Sequence, residues 1–202
     1  LLGYFCNRGF WNPWIPRLRA ARVPHVAISL EPMLGSLSNY IPQIEEGVRR
    51  LEEATGLPPV IVAHSMGGLA VRAWLASAPG NDVRMHRVIT LAAPHRGTWL
   101  AYLGHTTNAL EMRPDPCPWR NELEAREPEG RFARFTCFYS HCDNVVFPAS
   151  TGSLPGADNR HIPGAAHIHL LGQPEVFNEV LAWADGNTAP AAASGEVLAR
   201  VR

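Results

Sequence analysis

Val60-Ile61-Val62-Ala63-His64-Ser65-Met66-Gly67-Gly68-Leu69-Ala70-Val71-Arg72 decides the fold. A short apolar run rich in β-branched residues ends at a polar pair, two glycines follow, and a helical pattern begins. The stretch reads as a buried strand, a very sharp turn and a helix, with Ser65 at the tip of the turn. Such a turn holds the serine at strained backbone angles and lifts its hydroxyl above the end of a sheet. Small residues at Ala63 and Gly67 let strand and helix pass closely. Ala63 stands where a G-x-S-x-G pattern has its first glycine. The start of the following helix aims free N–H groups and a positive dipole end at any oxyanion that develops there. The competing interpretation is a serine in a glycine-rich turn of some other α/β protein.

Working outward, a helix is expected before this stretch, starting at Ser38. Tyr40, Ile44, Val48 and Leu51 recur at helical spacing, while Glu45, Glu46, Arg49, Arg50, Glu52 and Glu53 fill its wet face. Gly56 and Pro58 stop it. Earlier still, 25–30 reads as a buried parallel-type strand, 15–21 as a short helix with Pro16 in its first turn, 3–14 as a loop, and Leu1-Leu2 as a strand end. On the other side, 67–76 is a helix and 88–93 a buried strand closed by Pro94. A long irregular stretch, about 97–130, reads as a lid or binding loop. Strands follow at 134–139 and 159–162, and an amphipathic helix at 174–184. Strands alternating with helices imply an α/β fold: a mostly parallel sheet with helices on both faces. One domain is expected over 1–186, with a loosely held tail over 187–202. Because the chain opens at Leu1 inside a strand end, an N-terminal part carrying the first strands is expected to precede it, and location is left open.

The 202 residues suffice for one domain with a sizeable core. Acidic and basic residues balance at 18 each, which favours neither nucleic acid nor an anionic surface by net charge. No apolar run reaches the roughly 18 residues of a membrane span. Cys6, Cys117, Cys137 and Cys142 show no C-x-x-C pair and no metal-like spacing, so one disulfide or none is compatible with them. No metal site is expected.

In a parallel sheet, ligands bind beyond the carboxyl ends of the strands. Ser65, Asp143 and His167 all fall at or just past such ends. A serine hydroxyl needs a base within hydrogen-bond reach, and the base needs a carboxylate to fix its tautomer. Asp143 follows a strand and precedes an apolar segment, whereas Asp115 lies in the lid stretch and Asp158 precedes a strand; an Asx-turn cap is the structural alternative for Asp143. His167 sits in a small-residue turn, Gly164-Ala165-Ala166-His167, with His169 as runner-up. His64 is expected to point away from Ser65 into the surrounding packing. His95, Trp99 and Met112 are expected to line the substrate pocket, His95 having an equally good structural reading. Two N–H donors form an oxyanion hole, expected from Met66 and, in Gly3-Tyr4-Phe5, from Tyr4.

These residues carry a resemblance. From Gly3–Gly9 through Ala63–Leu69, Thr90–Thr98 and Tyr139–Pro148 to Gly164–Leu171, the sequence resembles bacterial lipases and esterases of the α/β-hydrolase superfamily, especially the triacylglycerol-lipase-like branch carrying A-H-S-M-G-G. The resemblance implies an α/β-hydrolase fold, Ser65 as nucleophile, Asp143 as acid, His167 as base, and oxyanion N–H groups from Tyr4 and Met66. It implies no organic cofactor, and a lipid or other acyl-ester substrate, with association to a lipid surface. Leu2 departs from it, since these proteins carry a supporting histidine there. The same triad also serves thioesterases, acyltransferases and phospholipases. A non-catalytic lipid-binding protein or decayed fragment is the reading from another class; it would bind a fatty acid without covalent labelling of Ser65.

Overall fold

A computed structural model describes residues 8–185. In chain order the elements are α1 (Ile15–Ala20), α2 (Ile41–Thr55), β1 (Val60–His64), α3 (Gly67–Ser77), β2 (Arg87–Leu91), α4 (Thr107–Glu111), α5 (Pro118–Glu124), β3 (Phe135–Tyr139), β4 (Asp158–His161) and α6 (Pro174–Ala184), with 3₁₀ turns between them. The strands form one sheet in the order β1-β2-β3-β4, every pair parallel. The register sets Ile61 beside Val88, Val88 beside Phe135, and Phe138 beside Arg160.

The pleat sends successive side chains to opposite faces, so the sheet supports two cores. Ile61, Ala63, Val88, Phe135 and Cys137 face one way and pack with Ile44 and Val48 of α2 and Leu69 and Trp74 of α3. Ile89, Leu91 and Phe138 face the other way, against Val176, Phe177 and Val180 of α6 and the indoles of Trp11 and Trp14. This is the parallel sheet covered on both faces that the alternation of strands and helices implies.

Local chemistry sets the boundaries. α2 starts at Ile41 after a 3₁₀ turn over Leu37–Tyr40, with Pro42 in its first turn, where a missing N–H costs nothing. It ends at Gly56, which takes the left-handed conformation with φ +69°. β2 stops at Leu91 because Ala92 turns to φ +48°. The stretch at 97–130 is more regular than expected: it holds a 3₁₀ turn over Trp99–Leu103, α4 and α5. It is pinned to the body at two places. The buried Glu111 carboxylate accepts from the Ser36 hydroxyl and the Leu37 amide, both at 2.6 Å. The buried Arg72 guanidinium of α3 donates to both carboxylate oxygens of Glu127 at 2.7 Å.

One expected strand is corrected. Residues 25–30 form no strand, and of these only Leu30 is buried. A β-branched run becomes a strand only through a ladder partner, and the described sheet begins at β1. Cys117, Cys137 and Cys142 are free thiols. No helix among the described residues is long and apolar enough to cross a membrane. The strand end at Leu1-Leu2, the loop Gly3-Tyr4-Phe5, Cys6 and the tail at 187–202 lie outside the described residues.

Candidate active site

The turn between β1 and α3 is as sharp as its sequence demands. Ser65 has φ +54°, a left-handed conformation that costs an L-residue roughly 1–2 kcal/mol. Backbone hydrogen bonds hold it there: Ser65 N–H donates to Leu91 O at 2.8 Å, and Ser65 O accepts from Gly68 N–H at 3.0 Å. Close approach falls at Gly68, where an added Cβ would lie 2.5 Å from Ala93 Cβ. Ala63 is wholly buried beneath the turn. Met66 stands at the N-cap of α3. Its amide belongs to the first turn, where N–H groups have no intrahelical acceptor.

Asp143 and His167, which lie past the ends of β3 and β4, meet across 24 residues. His167 Nδ1 lies 3.1 and 3.0 Å from the two Asp143 carboxylate oxygens, and both side chains are nearly buried. Asp143 Oδ1 also accepts the Val145 and Val146 amides, each at 2.8 Å, so the Asx turn and the carboxylate–imidazole pair coexist. Burial pushes the Asp143 carboxyl up, but hydrogen bonds from His167 and the two amides outweigh it and hold the group below the ordinary carboxylate value. An ionised Asp143 fixes the proton of His167 on Nδ1 and leaves Nε2 as the basic nitrogen. Asn144 Oδ1 accepts the His167 amide at 3.3 Å.

His64 links this pair to the turn. Its ring lies 4.6 Å from the His167 ring, centroid to centroid, and its Nε2 is 3.2 Å from His167 O. The expected packing around His64 therefore includes the His167 ring. No hydrogen bond joins Ser65 Oγ to His167 among the described residues; such contacts commonly tighten only when substrate is bound.

The competing candidates lie elsewhere. His169 is exposed, the exposed Asp115 pairs with the buried Arg120, and Asp158 pairs with Arg160. His95 is fully buried, with Nε2 at 3.0 Å from Thr90 Oγ1 and at 3.7 Å from Cys137 Sγ. It belongs to the core beneath α3 and has no face toward solvent. Burial, reinforced by the charge of Arg72, drives its pKa well below that of a free histidine, so it stays neutral. Met112 is 7% exposed and packs in the same core, with its carbonyl accepting the Thr98 amide at 2.8 Å. Trp99 is half exposed and meets Phe147 edge to face at 5.3 Å. Tyr4 lies outside the described residues. No group of three or more His, Cys, Asp or Glu side chains that could hold a metal ion occurs among the described residues.

Sequence reasoning missed three contacts: those of His64 and Asn144 with His167, and that of Arg72 with His95 O and Glu127. Two left a signal. A histidine ending a buried strand, and an arginine within the apolar run Leu69-Ala70-Val71-Arg72-Ala73-Trp74-Leu75, must each find a polar partner.

No family profile and no curated protein matches the chain. Solved structures do. Bacillus licheniformis lipase BlEst2 in mature form is similar over 91% of this chain and 89% of its own, at 14% identity and a TM-score of 0.71. Aspergillus fumigatus lipase B is similar over 95% of this chain, which spans about half of it (52%), at 16% identity and a TM-score of 0.73. Phospholipase PlaB from Legionella pneumophila is similar over 92% of this chain and 61% of its own, at 13% identity and a TM-score of 0.63. At such identities the likeness concerns architecture. Together with the parallel sheet, the two helical layers and the strand–serine–helix turn, it makes the fold of this chain that of the α/β-hydrolases.

Proposed function

We propose that the protein is a serine hydrolase that cleaves carboxylic esters through an acyl-enzyme, with Ser65 as nucleophile, His167 as base and Asp143 as orienting acid. The observation that carries this is the buried Asp143–His167 pair packed against the residue that precedes a left-handed serine. His167 Nε2 takes the Ser65 hydroxyl proton as Oγ attacks the ester carbonyl carbon. The oxyanion is held by the Met66 amide, with the Tyr4 amide as the second donor. On collapse, His167 returns the proton to the leaving alcohol. Water then enters, gives a proton to His167 and attacks the acyl carbon; as the second intermediate collapses, His167 returns that proton to Ser65 Oγ, which releases the acid and restores free Ser65. Asp143 accepts from Nδ1 throughout and stabilises the imidazolium.

The acyl substrate is a lipid or other apolar ester, and the stretch at 97–130 is its lid. Support comes from the exposed apolar side chains Trp99, Leu100, Tyr102, Leu103 and Phe147 beside the acid's loop. A patch of this kind suits a lipid surface.

Intact-mass spectrometry after treatment with a fluorophosphonate tests the assignment. One adduct on the parent and none on Ser65→Ala are expected, together with loss of p-nitrophenyl ester turnover in the variant. Unchanged turnover in Ser65→Ala would refute it. A chain-length panel of esters then ranks the acyl preference, and Leu103→Ser should weaken retention on phosphatidylcholine vesicles.

A further inference from the structure

We infer that His64 is the positioning residue of the base: as a neutral imidazole with its proton on Nε2, it holds the His167 carbonyl and fixes the base's place relative to Ser65. This rests on the triad proposed above. His64 is 1% exposed and sits between two rings, stacked on Phe10 at 4.5 Å and tilted against His167 at 4.6 Å. Among the described residues, the one polar contact of its ring is Nε2 to His167 O at 3.2 Å, and Nδ1 is buried without a partner. A carbonyl only accepts, so Nε2 must carry the hydrogen and Nδ1 the lone pair. Burial first, then repulsion from His167, pushes the pKa of His64 down to about 3, so at neutral pH the ring stays uncharged and does not compete for the catalytic proton.

His167 is thereby held at three places. Asn144 takes its amide, Asp143 its Nδ1, and His64 its carbonyl. Only the last of these holds comes from the β1–α3 turn, because His64 is covalently joined to Ser65. The 3₁₀ turn carrying the base (His167–Gly172) is thus indexed to the nucleophile through one side chain. Without the N–H, Phe10 and the His167 ring still pack against an aromatic at 64, but the one polar hold on the base that comes from the residue joined to Ser65 is lost.

Two substitutions separate the hydrogen bond from the packing. His64→Phe keeps a ring and removes the donor, and His64→Gln keeps an N–H at about the reach of Nε2. For p-nitrophenyl ester hydrolysis, His64→Phe should lower kcat about tenfold and leave KM within about twofold, and His64→Gln should return kcat to within about threefold of the parent. Fluorophosphonate labelling of Ser65 should slow in the same order. Long-range ¹H–¹⁵N spectra of the histidine-labelled parent should show one ring, absent from the His64→Gln spectrum, as the neutral Nε2–H tautomer at neutral pH. Parent-level kcat in His64→Phe, a loss in His64→Gln as deep as in His64→Phe, or a His64 ring protonated on Nδ1 would each overturn the inference. The His64 ring is assigned as the signal missing from either variant's spectrum, so failure of one variant to fold does not remove the test. A folded parent that takes no label and hydrolyses no ester would instead refute the hydrolase assignment, while the His64 tautomer would still be read from the spectra.

Discussion

Adding one methyl at Gly68 should damage both stability and the turn at Ser65. The added Cβ would stand 2.5 Å from Ala93 Cβ and 3.3 Å from both His95 Cε1 and Thr90 Cγ2. Reaching an ordinary contact of 3.4 Å needs about 0.9 Å of movement, and Ala93 Cβ is fixed to backbone rather than being the end of a flexible chain. Overpacking of this kind costs roughly 1–3 kcal/mol. Replacing glycine by alanine in a helix returns at most about 1 kcal/mol. The net expectation for Gly68→Ala is a loss of up to about 2 kcal/mol, a fall in Tm of up to roughly 8 °C for a chain of this length. Because the Gly68 amide donates to Ser65 O at 3.0 Å, the displacement is passed to the serine. A shift near 1 Å can cost about 100-fold in rate. Thermal unfolding and the rate of fluorophosphonate labelling measure the two effects. Ala93→Gly removes the opposing methyl, so the double variant should recover stability, with a coupling of at least about 0.5 kcal/mol in the cycle. A Gly68→Ala protein more stable than the parent, or a strictly additive cycle, would show that α3 and the turn after β2 are not in contact there.

Asp143→Asn should lower kcat by roughly 10³–10⁴, measured with a p-nitrophenyl ester, because an amide no longer fixes the His167 tautomer. The same carboxyl also sets a pH limb. Its pKa in the fold lies below the ordinary 3.8, so on acidification the unfolded chain takes up this proton first. Its contribution to stability is complete above that ordinary value and is lost as pH falls through the folded one, so Asp143→Asn should flatten the acid limb of a Tm-against-pH curve. Arg72→Met leaves the Glu127 carboxylate buried and unpaired and strips a donor from His95 O, which it meets at 2.8 Å. Denaturant unfolding should show a loss of about 3–5 kcal/mol, most of it recovered by Arg72→Met with Glu127→Met.

α6 matches its expected bounds, and β1 and α3 differ from theirs by one residue at one end, because each is set by its own apolar period and by the proline, glycine or polar residue at its ends. Residues 25–30 carry the same β-branched signal as β1 and form no strand, because pairing depends on what lies alongside. His95 looks by position like a pocket residue, since it follows β2 and Pro94. The backbone then turns its ring beneath α3, toward Thr90 and Cys137. Trp99 and Met112 come from one stretch of sequence, yet one is half exposed and the other buried.

By itself the sequence of this protein determined the interactions that span a few residues: the strand–turn–helix around Ser65, the period of α2 and α6, and the order of serine, carboxylate and histidine along the chain. These depend on backbone sterics and side-chain period, which act locally. Tertiary structure alone decided which side chains meet. His64 reaches a carbonyl 103 residues away, Asp143 finds the His167 ring, and Arg72 finds Glu127 across 55. Such pairs are chosen by the packing of the two helical layers on the sheet, where any polar group removed from water must take whatever partner the fold brings within reach.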